Sequence, residues 1–129
     1  MAKKRTFFKA VQKRIDLKET NATEKADIQG IKKQHLKSKN ICRVTFRLPM
    51  RAAPTAKKVS LVGEFNNWNK ETHVMKKISR GDFTATLELE LGKEYQFRYF
   101  IDNSKWKNDA NADKYVPTPF GSINSVVIL

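Results

Sequence analysis

The sequence has little of what a metalloenzyme, a disulfide-stapled domain or a membrane span requires. Its 129 residues include one cysteine and two histidines, and the longest apolar run is the last four residues, 126–129. One cysteine excludes an internal disulfide and a cysteine-based zinc cage, so we expect neither a metal nor a cofactor and a reducing, cytoplasmic setting. A membrane-spanning helix needs about 20 consecutive apolar residues, which this sequence does not contain. A catalytic (β/α)8 barrel needs about 250 residues, more than this chain has. The length therefore predicts one modest domain.

Acidic residues are also scarce, with 13 Asp and Glu against 26 Lys and Arg, for a net charge of +13. Residues 1–38 form a basic segment whose apolar spacing predicts short helices over residues 7–15 and 23–36. We expect a basic N-terminal extension that is partly helical or disordered. Three roles stay open for it: contact with nucleic-acid phosphates, attachment to an anionic membrane surface, or a solvated tail.

From residue 39 onward the pattern changes to the alternation of half-buried strands. In ICRVTFRL, for example, Cys42, Val44 and Phe46 alternate with polar residues, which makes Cys42 a core residue rather than a nucleophile. Similar short segments end at turn residues such as the Arg80, Gly81, Asp82 triplet. Six such strands without helices between them predict an all-β, antiparallel, immunoglobulin-like sandwich over residues 39–129.

The acidic residues do not form a catalytic pair. A glycosidase needs two carboxylates across a cleft, whereas Glu88 and Glu90 fall on the outward face of one strand. His73 has no Asp or Ser placed for a triad. We therefore expect no catalytic activity.

Two tryptophans stand in polar, turn-rich segments, Trp68 in FNNWNK and Trp106 in DNSKWKND. A flat ring can cover the apolar face of a sugar, and the surrounding Asn, Asp and Lys side chains can bond its hydroxyls. On the outward side of an aromatic strand, Arg98 and Phe100 could extend such a surface. The residues thus suggest a carbohydrate platform.

The segments VSLVGEFNNWN, GDFTATLELELGKEYQFRYFID and FGSINSVVIL resemble the family-48 carbohydrate-binding modules. These are the early-set, immunoglobulin-like domains at the N-terminus of isoamylase and glycogen-branching enzymes, and the glycogen-binding domain of the AMP-activated protein kinase beta subunit. The resemblance implies non-catalytic binding of an α-1,4-glucan such as glycogen, starch or a maltooligosaccharide.

The resemblance also implies roles for individual residues. Trp68 and Trp106 match the two sugar-stacking tryptophans, and Arg98 stands where the family has a lysine that bonds the glucan. Phe120 matches an apolar position against the curved chain, while Ser122 and Asn124 match positions that bind hydroxyls. Asn66 matches a structural asparagine that holds the turn.

A second hypothesis makes the module a scaffold or protein-interaction domain whose basic extension contacts nucleic acid or an anionic membrane. Salt separates the two, because phosphate-driven binding weakens steeply with ionic strength and stacking on a neutral sugar does not. Pairing of open edge strands between copies would also allow a dimer.

Overall fold

The computed structural model describes residues 31–36 and 39–129. Within them no helix is long or apolar enough to cross a membrane. The strands are β1 (Lys32–Leu36), β2 (Ile41–Leu48), β3 (Val59–Gly63), β4 (Lys76–Lys77), β5 (Phe83–Glu90), β6 (Glu94–Ile101), β7 (Lys105–Lys107), β8 (Lys114–Pro117) and β9 (Ile123–Ile128). Two short 3-10 turns, Met50–Ala52 and Glu64–Asn66, follow β2 and β3.

The strands form two antiparallel sheets that pack as a sandwich. The first sheet has the order β1-β2-β5-β4, and the second has the order β3-β6-β9-β8, with β7 also paired to β6. The predicted all-β, immunoglobulin-like architecture is confirmed. Strand β6 pairs with β3 along one edge. Along its other edge it pairs first with β9 and then, nearer its C-terminal end, with β7, so β6 is the central strand of the second sheet.

The core lies between the sheets and follows the predicted alternation. In β2, Cys42, Val44 and Phe46 are fully buried, and the ring of Phe46 meets that of Phe97 from β6 edge-on with centroids 5.0 Å apart. Burying a large apolar side chain contributes about 1.5–3 kcal/mol, so these facing strands supply much of the stability. Cys42 is a core residue, as its alternation predicts.

The helix predicted over residues 23–36 is wrong at its end, because Lys32–Leu36 form β1. This strand pairs with β2 from Lys32 opposite Thr45 to Leu36 opposite Ile41, so the sheet already begins inside the segment assigned to the basic extension. Its side chains are largely exposed, and backbone bonds rather than an apolar face hold it. The helix predicted over residues 7–15 lies outside the described residues.

Strands β7 and β8 lack a clear alternation, and the sequence does not predict them. A tight turn over residues 102–104, in which Asp102 and Asn103 have positive φ (51° and 57°), reverses the chain from β6 into β7. Such turns match the twist of a hairpin. The Asp102 carboxylate accepts the amides of Lys58 and Lys57 at 2.9 and 2.8 Å, which lowers its pKa. The turn thereby sets the register that positions β7.

Candidate functional site

An open cleft of about 600 Å³ lies on the outer face of the second sheet. Strands β6, β8 and β9 form its floor, β7 forms one wall, and the loops that follow β3 and β8 rise on its sides. Its lining residues are Glu64, Trp68, Lys70, Gln96, Arg98, Trp106, Pro117, Thr118, Pro119, Phe120, Ser122 and Asn124. The structure therefore brings into one cleft all six side chains that the sequence predicts for sugar contact.

The turn after β3 carries Trp68 to the cleft, and Asn66 holds this turn from beneath. The Oδ1 atom of Asn66 accepts the amide of Gly63 at 3.1 Å, and its Nδ2 atom donates to the carbonyl of Leu61 at 2.9 Å. Asn67 and Trp68 have φ values of 55° and 58°. A bulky residue adopts this left-handed conformation only when its surroundings hold it there. Trp68 is 38% exposed, so part of its surface is available to a ligand.

Gly63, at the start of this turn, packs too closely against β6 for any side chain. A Cβ atom there would lie 2.6 Å from the carbonyl oxygen of Gln96 and 2.7 Å from the Cβ atom of Phe97. Its φ of −169° is ordinary extended backbone, so space and not conformation requires glycine. This close approach fixes where the Trp68 turn leaves the sheet.

Arg98 is the centre of a chain of polar side chains across the floor. Its Nε atom donates to Oδ1 of Asn124, and its Nη2 atom donates to Oγ of Ser122 at 2.8 Å. Asn124 in turn donates through Nδ2 to Oε1 of Gln96 at 2.9 Å. A guanidinium has five N–H donors, and two are used here. The rest can serve a ligand from a group whose orientation is already set.

Trp106 reaches the cleft from β7, where it pairs with Phe100 on β6. The two rings are stacked at a tilt of 36° with centroids 4.4 Å apart, and Phe100 is only 7% exposed beneath the indole. Phe100 thus supports the platform from below and does not extend its surface. The ammonium of Lys70 lies 5.6 Å from the Trp106 ring centroid and 4.8 Å from that of Phe100. Trp106 itself is 42% exposed.

The loop between β8 and β9 raises Phe120 on the opposite side. Oγ1 of Thr118 bonds Oγ of Ser122 at 2.8 Å and accepts the Phe120 amide at 3.2 Å, while the Thr118 amide donates to the Ser122 carbonyl at 2.8 Å. Gly121, with a φ of 80°, makes the turn. Phe120 is 90% exposed, which is unusual for a phenyl ring and leaves it free to contact a ligand.

A buried polar network holds β7 and β8 in place below the cleft. The Tyr99 hydroxyl donates to Oδ2 of Asp109 at 2.6 Å, and the Asp109 amide donates to Oγ of Ser125 at 2.8 Å. Burial, followed by the nearby Asp109 carboxylate, raises the pKa of Tyr99 well above its usual value. The hydroxyl therefore stays protonated and keeps donating. It ties the segment between β7 and β8 to the central strand.

Six lining residues escape prediction from sequence: Glu64, Lys70, Gln96, Pro117, Thr118 and Pro119. Gln96 shares the outward face of β6 with Arg98, so alternation could have found it. The Glu64 carboxylate accepts a hydrogen bond from the backbone amide of Gln96 at 2.7 Å, and this bond holds the turn to the sheet. Lys70 and Thr118 are placed by loops, for which the sequence offers no periodic signal. Asn66 lies under the turn and not in the cleft wall.

Residues 31–36 and 39–129 contain no group of three or more His, Cys, Asp or Glu side chains that could hold a metal ion. What these residues offer a ligand is two exposed indoles, one exposed phenyl ring and a pre-oriented row of hydrogen-bonding groups. Such a surface suits a ligand with alternating apolar and hydroxylated faces.

Comparison with known proteins points to the same chemistry. The family model described as Carbohydrate-binding module 48 (Isoamylase N-terminal domain) matches residues 38–117. The chain is 58% identical over 88 residues to the 1,4-alpha-glucan-branching enzyme of Candida glabrata, with 51% of this chain and 12% of the enzyme covered. It is 30% identical over 63 residues to the 1,4-alpha-glucan branching enzyme GlgB of Bacillus cytotoxicus, with 49% and 10% covered. The chain thus spans about a tenth of the length of these relatives.

Proposed function

Because the chain belongs to the carbohydrate-binding module 48 family, we propose that it binds α-1,4-linked glucan chains in the cleft of the second sheet, without transforming them. The observation that carries the proposal is the convergence of Trp68, Trp106 and Arg98 on one open cleft. The names of the two relatives, both 1,4-alpha-glucan branching enzymes, favour this class of sugar.

In this proposal the aromatic rings provide the binding surface and the polar row gives direction. The indoles of Trp68 and Trp106 cover the C–H faces of glucose units, while Phe120 contacts the inner side of the curved chain. The free donors of Arg98, together with Ser122 and Asn124, bond the hydroxyls. The site is open and shallow, so we expect a dissociation constant of about 1 μM to 1 mM.

A binding role without catalysis also fits the charges in the cleft. Among the described residues Glu64 is the one carboxylate in the lining, and it already accepts the Gln96 amide. Hydrolysis of a glycosidic bond uses a pair of carboxylates on the two sides of that bond. We therefore expect no reducing-sugar release when the pure protein is incubated with starch.

Titration with maltoheptaose or β-cyclodextrin, followed by tryptophan fluorescence at low and high salt, tests the proposal. We expect a saturable change with little dependence on salt, because the ligand is neutral. In Trp68→Ala the affinity should fall about tenfold or more, since a large buried aromatic contact is lost. Unchanged affinity in this variant would refute the site.

A matched control is Thr86→Ala, which removes an exposed side chain from the outer face of the first sheet. This variant should bind like the wild type. Urea unfolding should show Thr86→Ala within about 0.5 kcal/mol of the wild type, as is usual for surface substitutions, and should show that Trp68→Ala is still folded under the conditions of the titration. A binding loss shared by Trp68→Ala and Thr86→Ala would point to unfolding instead of a site.

A further inference from the structure

The hydrogen bonds of Asn66 identify the acceptor nitrogen of His73. The Gly63 amide can only donate and the Leu61 carbonyl can only accept, so these two backbone partners identify Oδ1 and Nδ2 of Asn66 without ambiguity. The second hydrogen of Nδ2 faces Nδ1 of His73 at 2.9 Å. An amide nitrogen cannot accept a hydrogen bond, so Nδ1 must be the acceptor. In this hydrogen-bond arrangement the imidazole accepts at Nδ1, which leaves its proton on Nε2.

We propose that neutral His73 is a positioning residue for Trp68, and that protonation of His73 weakens glucan binding. The proposal rests on the proposed function, in which Trp68 stacks on the sugar. His73 lies outside the cleft lining and acts through Asn66 on the turn between Gly63 and Trp68.

His73 is held firmly enough for its ring to act on Asn66. Its carbonyl accepts the Leu61 amide at 2.8 Å, and two residues later the Met75 amide donates to Val59 at 2.8 Å, so residues 73–75 lie along the edge of β3. The imidazole also meets the ring of Phe65 edge-on, with centroids 6.2 Å apart. The backbone of His73 therefore cannot move away without breaking these bonds.

A second proton on the imidazole would place an N–H donor against the N–H donor of Asn66. Rotation of the Asn66 amide would relieve this contact but would break its bonds to Gly63 and Leu61. Those bonds organise the turn in which the Trp68 amide donates to the Gly63 carbonyl at 2.9 Å. Their loss would remove two of the bonds that keep Trp68 in its left-handed conformation. The indole would then be held less firmly in its place in the cleft.

The charged surroundings of His73 do not change in the same pH range. The groove beside it is lined by threonine and apolar side chains of the 72–74 segment and β5, together with Lys76 of β4. Lysine keeps its charge below neutral pH. From β3 and the following 3-10 turn, the contacts are the Leu61 backbone, Phe65 and Asn66, which do not titrate. Imidazole is the side chain that titrates between about pH 5 and 8.

Two variants of His73 separate positioning from general stability. His73→Asn supplies an oxygen near the place of Nδ1, so it keeps an acceptor for Asn66 but cannot titrate. His73→Leu removes the acceptor. Maltoheptaose affinity is measured by calorimetry across about pH 5 to 8. We expect the wild type to lose about threefold or more towards acid, His73→Asn to bind well at all pH values, and His73→Leu to bind weakly at all of them.

His35→Asn is the matched control, because His35 lies on β1, far along the other sheet, and pairs with Cys42. This variant should show the wild-type pH profile. A flat wild-type profile, an acid loss that persists in His73→Asn, or full affinity in His73→Leu would overturn the proposal.

A readout without sugar keeps this inference separable from the proposed function. Long-range ¹H–¹⁵N spectra at about pH 8 report the imidazole tautomer, and we expect the proton on Nε2. The indole N–H resonance of Trp68 should shift as His73 titrates, and this shift should disappear in His73→Asn. A proton on Nδ1, or an indole resonance that ignores the titration, refutes the positioning role. Absence of glucan binding in the wild type would refute the proposed function alone.

Discussion

The outer faces of the two sheets are built on the same alternating pattern but present different surfaces. On the first sheet, Arg43 bonds Glu88 at 3.1 Å on the next strand, and Thr45 bonds Thr86 at 3.0 Å. These polar groups are partnered across neighbouring strands. On the second sheet, Arg98 bonds only neutral side chains among the described residues and stands between exposed aromatic rings.

The two faces differ in whether an outward arginine is neutralised by a carboxylate on a neighbouring strand. The Arg43–Glu88 pair satisfies both charges at the surface and leaves a flat face. Arg98 keeps its full charge and free donors, and the loops on both sides add rings and depth. A fixed donor fork beside exposed rings is suited to binding, whereas a cross-strand ion pair is suited to pairing strands.

The largest effect should come from Gly63→Ala, at the point where the second sheet gives rise to the Trp68 turn. The new Cβ atom would lie within 2.7 Å of backbone and Cβ atoms of β6, which cannot swing aside. We expect the free energy of unfolding to fall by about 3 kcal/mol, at the upper end for overpacking. Urea unfolding measures this loss.

Gly92→Ala is the control for Gly63→Ala, because a Cβ atom at Gly92 meets nothing within 4 Å although its φ is +80°. Backbone strain without a steric clash should lower the free energy of unfolding by about 1 kcal/mol. Equal losses at both positions would mean that the close approach of Gly63 to β6 does not fix the turn.

The next effect compares the two outward arginines directly, through Arg98→Ala and Arg43→Ala. Removal of Arg98 takes away the charged donor that Asn124 and Ser122 hold in the cleft floor, and we expect maltoheptaose affinity to fall about thirtyfold, or about 2 kcal/mol. Removal of Arg43 breaks an exposed ion pair, which contributes about 0–1 kcal/mol to stability, and should leave affinity unchanged. Calorimetry measures the maltoheptaose affinity of both variants. Equal affinities would contradict the different roles of the two faces.

Sequence reasoning located the fold and the cleft residues where local pattern carries the information. Alternation along β6 placed Phe97 and Tyr99 in the core and Arg98 outside. The polar, turn-rich segments around Trp68 and Trp106 marked the two indoles, and the family resemblance added Phe120, Ser122 and Asn124. The structure brings these residues together; their contact with sugar stays a prediction.

What escaped prediction depends on contacts between distant segments. β1 has no apolar face to read, since its pairing with β2 is made by backbone bonds. The burial of Phe100 follows from Trp106 folding back over it, which requires the tight turn at Asp102. The bond between Asn66 and His73 likewise exists only because residues 73–75 return to β3.

The smallest effect concerns acid and the first sheet, at the carboxylate of Asp82 beside β5. Burial raises the pKa of Asp82, but the Met50 amide at 2.8 Å and the Arg47 guanidinium at 2.7 Å more than offset this, so the pKa is lowered. A lowered folded-state pKa stabilises the protein above the unfolded value of about 4, and this contribution is lost as pH falls below it.

Asp82→Asn, which keeps one oxygen acceptor but removes the charge, should therefore reduce stability by about 1 kcal/mol at neutral pH. Below about pH 4 the difference from the wild type should shrink, because the carboxyl takes up a proton first in the unfolded wild type and, at still lower pH, in the folded protein as well. Urea unfolding at several pH values measures this difference in stability, and a difference that is constant with pH would contradict the role of the charge.

Glucan affinity near neutral pH should be the same in both proteins, since Asp82 lies outside the cleft. The two sheets would then respond to acid in separate ranges, the first through stability below about pH 4 and the second through binding between about pH 5 and 8.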